Sequence, residues 1–121
     1  MELAKGFYTA LVTPYDSDDA LDPGALHAIM ERNLKEGASG FLIGGSSTEA
    51  FLLSHDEWLA AFKAAADFAR CDKVCLIAAF SAFSTEEAVA YARRAKGLGY
   101  DAVISTPPCC YKYGCSLKKK D

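Results

Sequence analysis

Four short apolar runs recur along the chain, at residues 7–12, 41–43, 74–79 and 102–104. Each is nearly continuous rather than alternating, which is the pattern of strands buried on both faces of a parallel sheet. Parallel neighbours cannot be joined by a tight hairpin; they need a crossover, and a helix is the usual one. Three helical segments stand between the runs, each with a start signal. Asp22-Pro23 sets a capping carboxylate before a proline at the first helical position, where the missing N–H costs little. Ser54 and Glu57 have capping-box spacing, with Leu53 and Trp58 placed as a hydrophobic staple, and Ser84 and Glu87 repeat the box. Apolar stripes at helical spacing follow: Leu26, Ile29, Met30 and Leu34; then Leu59, Phe62 and Ala66; then Val89, Ala92 and Ala95. Gly37 and either Gly97 or Gly99 are placed as helix stops. The order β-α-β-α-β-α-β, with a unit of about 30 residues, predicts right-handed crossovers and a parallel α/β architecture.

Two parallel architectures compete, a barrel and an open doubly wound sheet. The first run leads into Thr13-Pro14-Tyr15-Asp16 rather than G-x-G-x-x-G, and a proline there does not suit a dinucleotide turn. An open-sheet nucleotide binder therefore ranks behind the barrel. The fourth run ends in Thr106-Pro107-Pro108, and the remaining residues carry no apolar stripe. No helix is expected to cover that strand, so the chain reads as an incomplete α/β unit.

Composition narrows the function classes. The chain has 121 residues, enough for one domain or part of one, and 51% are hydrophobic and 24% charged. A net charge of −3, with the only basic run in the three lysines at 118–120, argues against nucleic acid. No apolar run approaches the roughly 20 residues that span a bilayer. The first residues carry no basic segment followed by a long apolar run, so a cytoplasmic protein is expected. The cysteines number five: Cys71, Cys75, Cys109, Cys110 and Cys115. An odd number suggests no disulfide framework, and neither cluster has C-x2-C spacing or a histidine close by, since His27 and His55 fall in predicted helices. The expectation is buried or incidental thiols, no metal and no cofactor.

In parallel α/β folds ligands bind beyond the carboxyl ends of the strands. That rule selects the loops at 13–16, 44–49, 80–84 and 107–112. The second holds Gly44, Gly45, Ser46, Ser47, Thr48 and Glu49. Glycines let backbone amides approach a ligand, and hydroxyls add donors, so the loop can cradle a carboxylate without a cation. The plainer alternative is a polar turn with Glu49 exposed. Thr13 either bonds a neighbouring loop or simply ends its strand. Ser81, Ser84 and Thr85 read as helix-capping residues. Tyr111 and Tyr113 either reach a site or an interface or stand exposed, and Lys112 reads as a solvated lysine rather than a Schiff-base one, which needs burial.

Three motifs then resemble one family. "ALVTPYDSDDALD" is similar to the opening of the dihydrodipicolinate synthase and N-acetylneuraminate lyase superfamily. "GGSSTEAFLLSHDE" resembles its G-[ST]-[ST]-G-E-x-x-x-L-[ST]-x-x-E signature, and "STPPCCYKYG" its fourth-strand ending. The resemblance reaches about Tyr113. It implies the N-terminal half of a (β/α)8 TIM barrel over residues 1–113, with about four parallel strands and three helices, and a non-family tail at 114–121. It implies class I aldolase chemistry, in which a lysine forms a Schiff base with pyruvate or another 2-oxo acid and the enamine meets an aldehyde, or the reverse cleavage occurs. Aspartate semialdehyde and N-acetylmannosamine are among the aldehydes the superfamily uses. Carried over by motif, Ser46 and Ser47 hold the carboxylate, Ser47 joins a proton relay, and the backbone near Gly45 adds contacts. The family is a homo-oligomer, usually a tetramer built from dimers.

Three departures carry their own expectations. Thr48 stands where the family has glycine, which predicts strain if that position needs a positive φ. Cys109 and Cys110 replace a Tyr-Tyr pair whose second member reaches a neighbouring subunit's relay, and a thiol at Cys110 is too short for that. The catalytic tyrosine of Y-N-x-P and the Schiff-base lysine match no residue here, so the chain alone is expected to be inactive. The alternative is a non-catalytic carboxylate-binding or self-associating half-barrel.

Overall fold

The computed structural model describes residue 3 and residues 5–107. The expected tail at 114–121, and Cys109, Cys110, Tyr111, Lys112, Tyr113 and Cys115, lie outside those residues. Four strands, β1 (Tyr8–Ala10), β2 (Gly40–Ile43), β3 (Cys75–Ser81) and β4 (Ala102–Thr106), make one sheet in the order β1-β2-β3-β4, with every pairing parallel. Helices α1 (Pro23–Lys35), α2 (His55–Asp72) and α3 (Thr85–Leu98) connect them in turn. An open doubly wound sheet reverses its strand order at a switch point, whereas a barrel keeps chain order. The sequential order observed here is that of a barrel segment.

The helix starts follow the side-chain chemistry. Asp22 accepts from the Ala25 amide, and Ser54 and Glu57 complete a reciprocal capping box on α2. Ser84 caps α3, but Glu87 reaches one residue further back, to the Phe83 amide at 3.0 Å, so the second box closes on a different donor. Gly99 at φ 91 ends α3, while Gly97 lies inside the helix. Lys73, at φ 52, ends α2 in the left-handed region without a glycine.

The core lies between the sheet and the helices. Phe41 pairs with Leu76 and Ile43 with Ala78, so these four share a face, and all are buried with Met30, Trp58 and Phe62. The Phe62 ring stacks on Trp58 at 3.8 Å and on Tyr100 at 5.1 Å. The Tyr100 hydroxyl donates to the Phe62 carbonyl at 3.1 Å, and burial pushes this phenol well above its usual range. The third expected stripe needs correcting at one position: Val89 is 43% exposed, whereas Ala95 is buried as expected, and Tyr91 and Leu98 join it against the core. Tyr91 is large enough to lie against both Phe80 and Trp58, so an aromatic ring extends the aliphatic stripe on this face.

β4 is the least covered strand. Val103 is 45% exposed and Ile104 47%, though neighbouring side chains on a strand point to opposite faces. Among the described residues, neither face of this edge strand is fully covered. No helix among the described residues is long and apolar enough to cross a membrane.

Candidate functional site

Beyond the carboxyl end of β2 the chain makes two short 3-10 turns, Ser46–Thr48 and Ala50–Leu52. Gly44 opens the segment at φ 89, where a Cβ would collide with the Ala79 carbonyl oxygen on β3. Only glycine lets the loop leave the sheet this closely.

Thr48 is the pin of the loop. It is 2% exposed, its hydroxyl donates to the Leu11 carbonyl at 2.9 Å, and the same oxygen accepts from the Gly44 amide at 3.1 Å. Its own carbonyl accepts from the Thr13 hydroxyl at 2.8 Å. Thr48 thus ties the end of β1 to the end of β2. The strain expected at this position does not arise: Thr48 belongs to a 3-10 turn, and the left-handed residue is Glu49, at φ 55. Thr13 does bond the neighbouring loop. Asp16, in the same motif, accepts from the Asp18 and Ala20 amides at 2.8 and 3.0 Å and shapes the β1–α1 connection. The Tyr15 phenol is raised above its usual range by burial and by the Glu57 and Glu49 carboxylates, so the first loop faces the second.

With Thr48 pinned, the preceding turn is held while its donors stay open. The Thr48 and Glu49 amides donate to the Gly45 and Ser46 carbonyls. The Ser46 and Ser47 amides and hydroxyls meet no protein acceptor among the described residues, and both side chains are exposed. Two amides and two hydroxyls on one fixed turn form a neutral donor set suited to a carboxylate.

Gly45 and Ser46 line a cleft of about 220 Å³ at the carboxyl ends of β2, β3 and β4. Ser47 is on the same turn but does not line it. Phe51, Trp58, Tyr91 and Ile104 give the cleft an apolar wall, and among the described residues no lysine, arginine, aspartate or glutamate lines it. A wall of this kind lowers the local dielectric and strengthens any hydrogen bond made to an anion inside.

Two lining hydroxyls, on Ser81 and Thr106, have a different role from the one their sequence positions suggest. Ser81 was expected as a helix cap, yet it is the last residue of β3, and its hydroxyl lies 2.5 Å from that of Thr106, the last residue of β4. The register Ser81↔Thr106 sets the two side by side. The period of two along each run, aligned across the sheet, is the signal that would have found them. Cys71 is exposed and Cys75 half-buried, and among the described residues no group of three histidine, cysteine or acidic side chains is arranged to hold a metal ion. Cys110 falls outside the described residues.

Comparison with known proteins places this geometry in a lineage. The sequence matches the Dihydrodipicolinate synthetase family over residues 3–116. It is 36% identical over 109 residues to N-acetylneuraminate lyase of Escherichia coli (strain K12 / DH10B), covering 90% of this chain and 36% of that enzyme. The crystal structure of N-acetylneuraminate lyase from Fusobacterium nucleatum superposes with a TM-score of 0.81 at 33% identity, covering 93% of this chain and 39% of that one. Dihydrodipicolinate synthase from Aquifex aeolicus gives 0.78 at 27% identity, over 87% and 35% respectively. The chain thus spans little more than a third of the length of these relatives, and its four parallel strands and three helices correspond to part of their TIM-barrel fold. On the match over almost its whole length, the chain belongs to the dihydrodipicolinate synthetase family.

Proposed function

We propose that this chain carries the carboxylate seat of a pyruvate-dependent class I aldolase, acting as lyase or synthase through a Schiff base. One observation carries the proposal: the open amides and hydroxyls of Ser46 and Ser47 stand on a turn fixed by Thr48 just beyond the carboxyl end of β2, where Ser46 lines the cleft. Ser46 and Ser47 hold the carboxylate of pyruvate or another 2-oxo acid, with the backbone at Gly45 beside them. Because the seat is neutral, it adds no positive charge that would perturb a lysine acting nearby. Ser47 joins a proton relay, and Cys110 stands at the position of the tyrosine that the family offers to a neighbouring subunit, with a thiol too short for that reach. The family resemblance matches no Schiff-base lysine among these 121 residues, so the covalent step is not supplied by them. No metal or cofactor enters the scheme, and a cytoplasmic setting goes with it. Borohydride reduction in the presence of pyruvate, followed by intact-mass measurement, tests this division of labour. The expected result is no trapped adduct on the chain alone. A stoichiometric lysine adduct would show that the covalent step is carried here after all.

A second proposal concerns association. Phe51, Leu52 and Phe83 are 68%, 77% and 82% exposed at the same end of the sheet, and among the described residues β4 is only half-covered on both faces. Exposed apolar side chains of this size and an unpaired strand edge favour self-association. Four parallel strands in chain order are half of an eight-stranded barrel. A second copy that set its β1 beside β4 would therefore complete that count, so the partner proposed is another copy of this chain.

A further inference from the structure

We infer that Ser81 and Thr106 form a second hydrogen-bonding seat in the cleft that Ser46 enters, one that takes a neutral hydroxyl of the bound molecule. The inference rests on the carboxylate seat proposed above and adds the chemistry of the ligand's other end. Ser46 follows β2, Ser81 ends β3 and Thr106 ends β4, so three adjacent strand ends each give one hydroxyl to the same cleft. The sheet register fixes Ser81 and Thr106 side by side, with their oxygens 2.5 Å apart.

A hydroxyl has one proton and two lone pairs. When one member of the pair donates to the other, the acceptor's own proton stays unspent, and so do lone pairs on both oxygens. Neither hydroxyl has another partner among the described residues, since the nearby Ser105 hydroxyl donates to the Thr106 carbonyl instead. The pair therefore offers a donor and an acceptor together, which matches an alcohol. A second carboxylate would find only one donor there, and an ammonium would find no counter-charge, because among the described residues no carboxylate lines the cleft.

Size points the same way. A cleft of about 220 Å³ has room beyond a three-carbon acid. The geometry selects for a 2-oxo acid, or an adduct of one, with a hydroxyl on the carbon chain beyond the carbonyl.

The test compares 2-oxobutyrate with 4-hydroxy-2-oxobutyrate, which share the carboxylate and differ by one hydroxyl, in amide-resolved NMR titrations of the intact chain. The wild type is expected to bind the hydroxylated acid about threefold to tenfold more tightly, the range of one neutral hydrogen bond. Ser81→Ala and Thr106→Val are expected to abolish that preference and leave 2-oxobutyrate unchanged, while Thr106→Ser restores it. A wild type without preference, or a preference that survives both substitutions, would overturn the inference. Erythritol, which has no carboxylate, separates this from failure of the first seat. If neither acid shifts Ser46 or Ser47 but erythritol shifts Ser81 and Thr106, the hydroxyl seat stands without the carboxylate seat. If erythritol shifts neither residue in that case, the inference falls.

Discussion

Thr48 shows how one side chain settles the geometry of the candidate site. Its hydroxyl spends its proton on Leu11 and a lone pair on Gly44, all inside the core. Thr48→Val keeps the shape but strands a buried carbonyl and a buried amide, and is expected to destabilise by about 2–3 kcal/mol in urea denaturation. Thr48→Ser keeps both bonds and loses one methyl, for about 1 kcal/mol. A valine variant as stable as the serine one would show that the ties contribute nothing. At this scale the sequence was partly legible. The motif marked Thr48 as a departure, but the residue type suggested strain because its φ could not be read. Strain is set by backbone conformation, and here the positive φ falls one residue later, on Glu49. The role of Thr13 was open for a similar reason: its partner is 35 residues away in sequence.

Among the elements, the helices were the most legible, because their start signals are local. Asp22, Ser54 and Ser84 cap as their spacing suggests. What the sequence did not show was the full face of α3, where Ala95 is buried as its spacing suggests but Tyr91 packs on Phe80 and Trp58 and Val89 stays exposed. Strand ends were less legible still, and Ser81 passed for a cap because nothing local says that β3 runs on to it. The capping box on α2 gives a pH dependence. The Ser54 amide at 2.7 Å, then the Ser54 hydroxyl, hold the Glu57 carboxyl below the usual glutamate range. A carboxyl lowered in the folded state stabilises above its unfolded pKa and loses that contribution as pH falls through the folded value. The wild type should therefore lose melting temperature more steeply than Glu57→Gln as the pH falls below about 4.5. Parallel acid limbs in thermal melts would contradict the role given to this box.

For the molecule as a whole, the parallel α/β class followed from the strand–helix alternation alone, because buried strands and capped crossovers leave few arrangements. Barrel and open sheet were separated only by strand order, a property of the assembled sheet. The half-covered β4 and the exposed Phe51, Leu52 and Phe83 make self-association the expected state, so light scattering after size exclusion should give twice the monomer mass of 13.0 kDa, or more. A monodisperse monomer would remove the second proposal and leave the carboxylate seat untouched. That seat is the central claim, and an amide-resolved NMR titration of the intact chain with pyruvate tests it most directly. The account predicts concentration-dependent shifts at Gly45, Ser46 and Ser47, lost when Ser46 and Ser47 are both replaced by alanine. Shifts confined to other residues, or shifts that persist in the double variant, would contradict it.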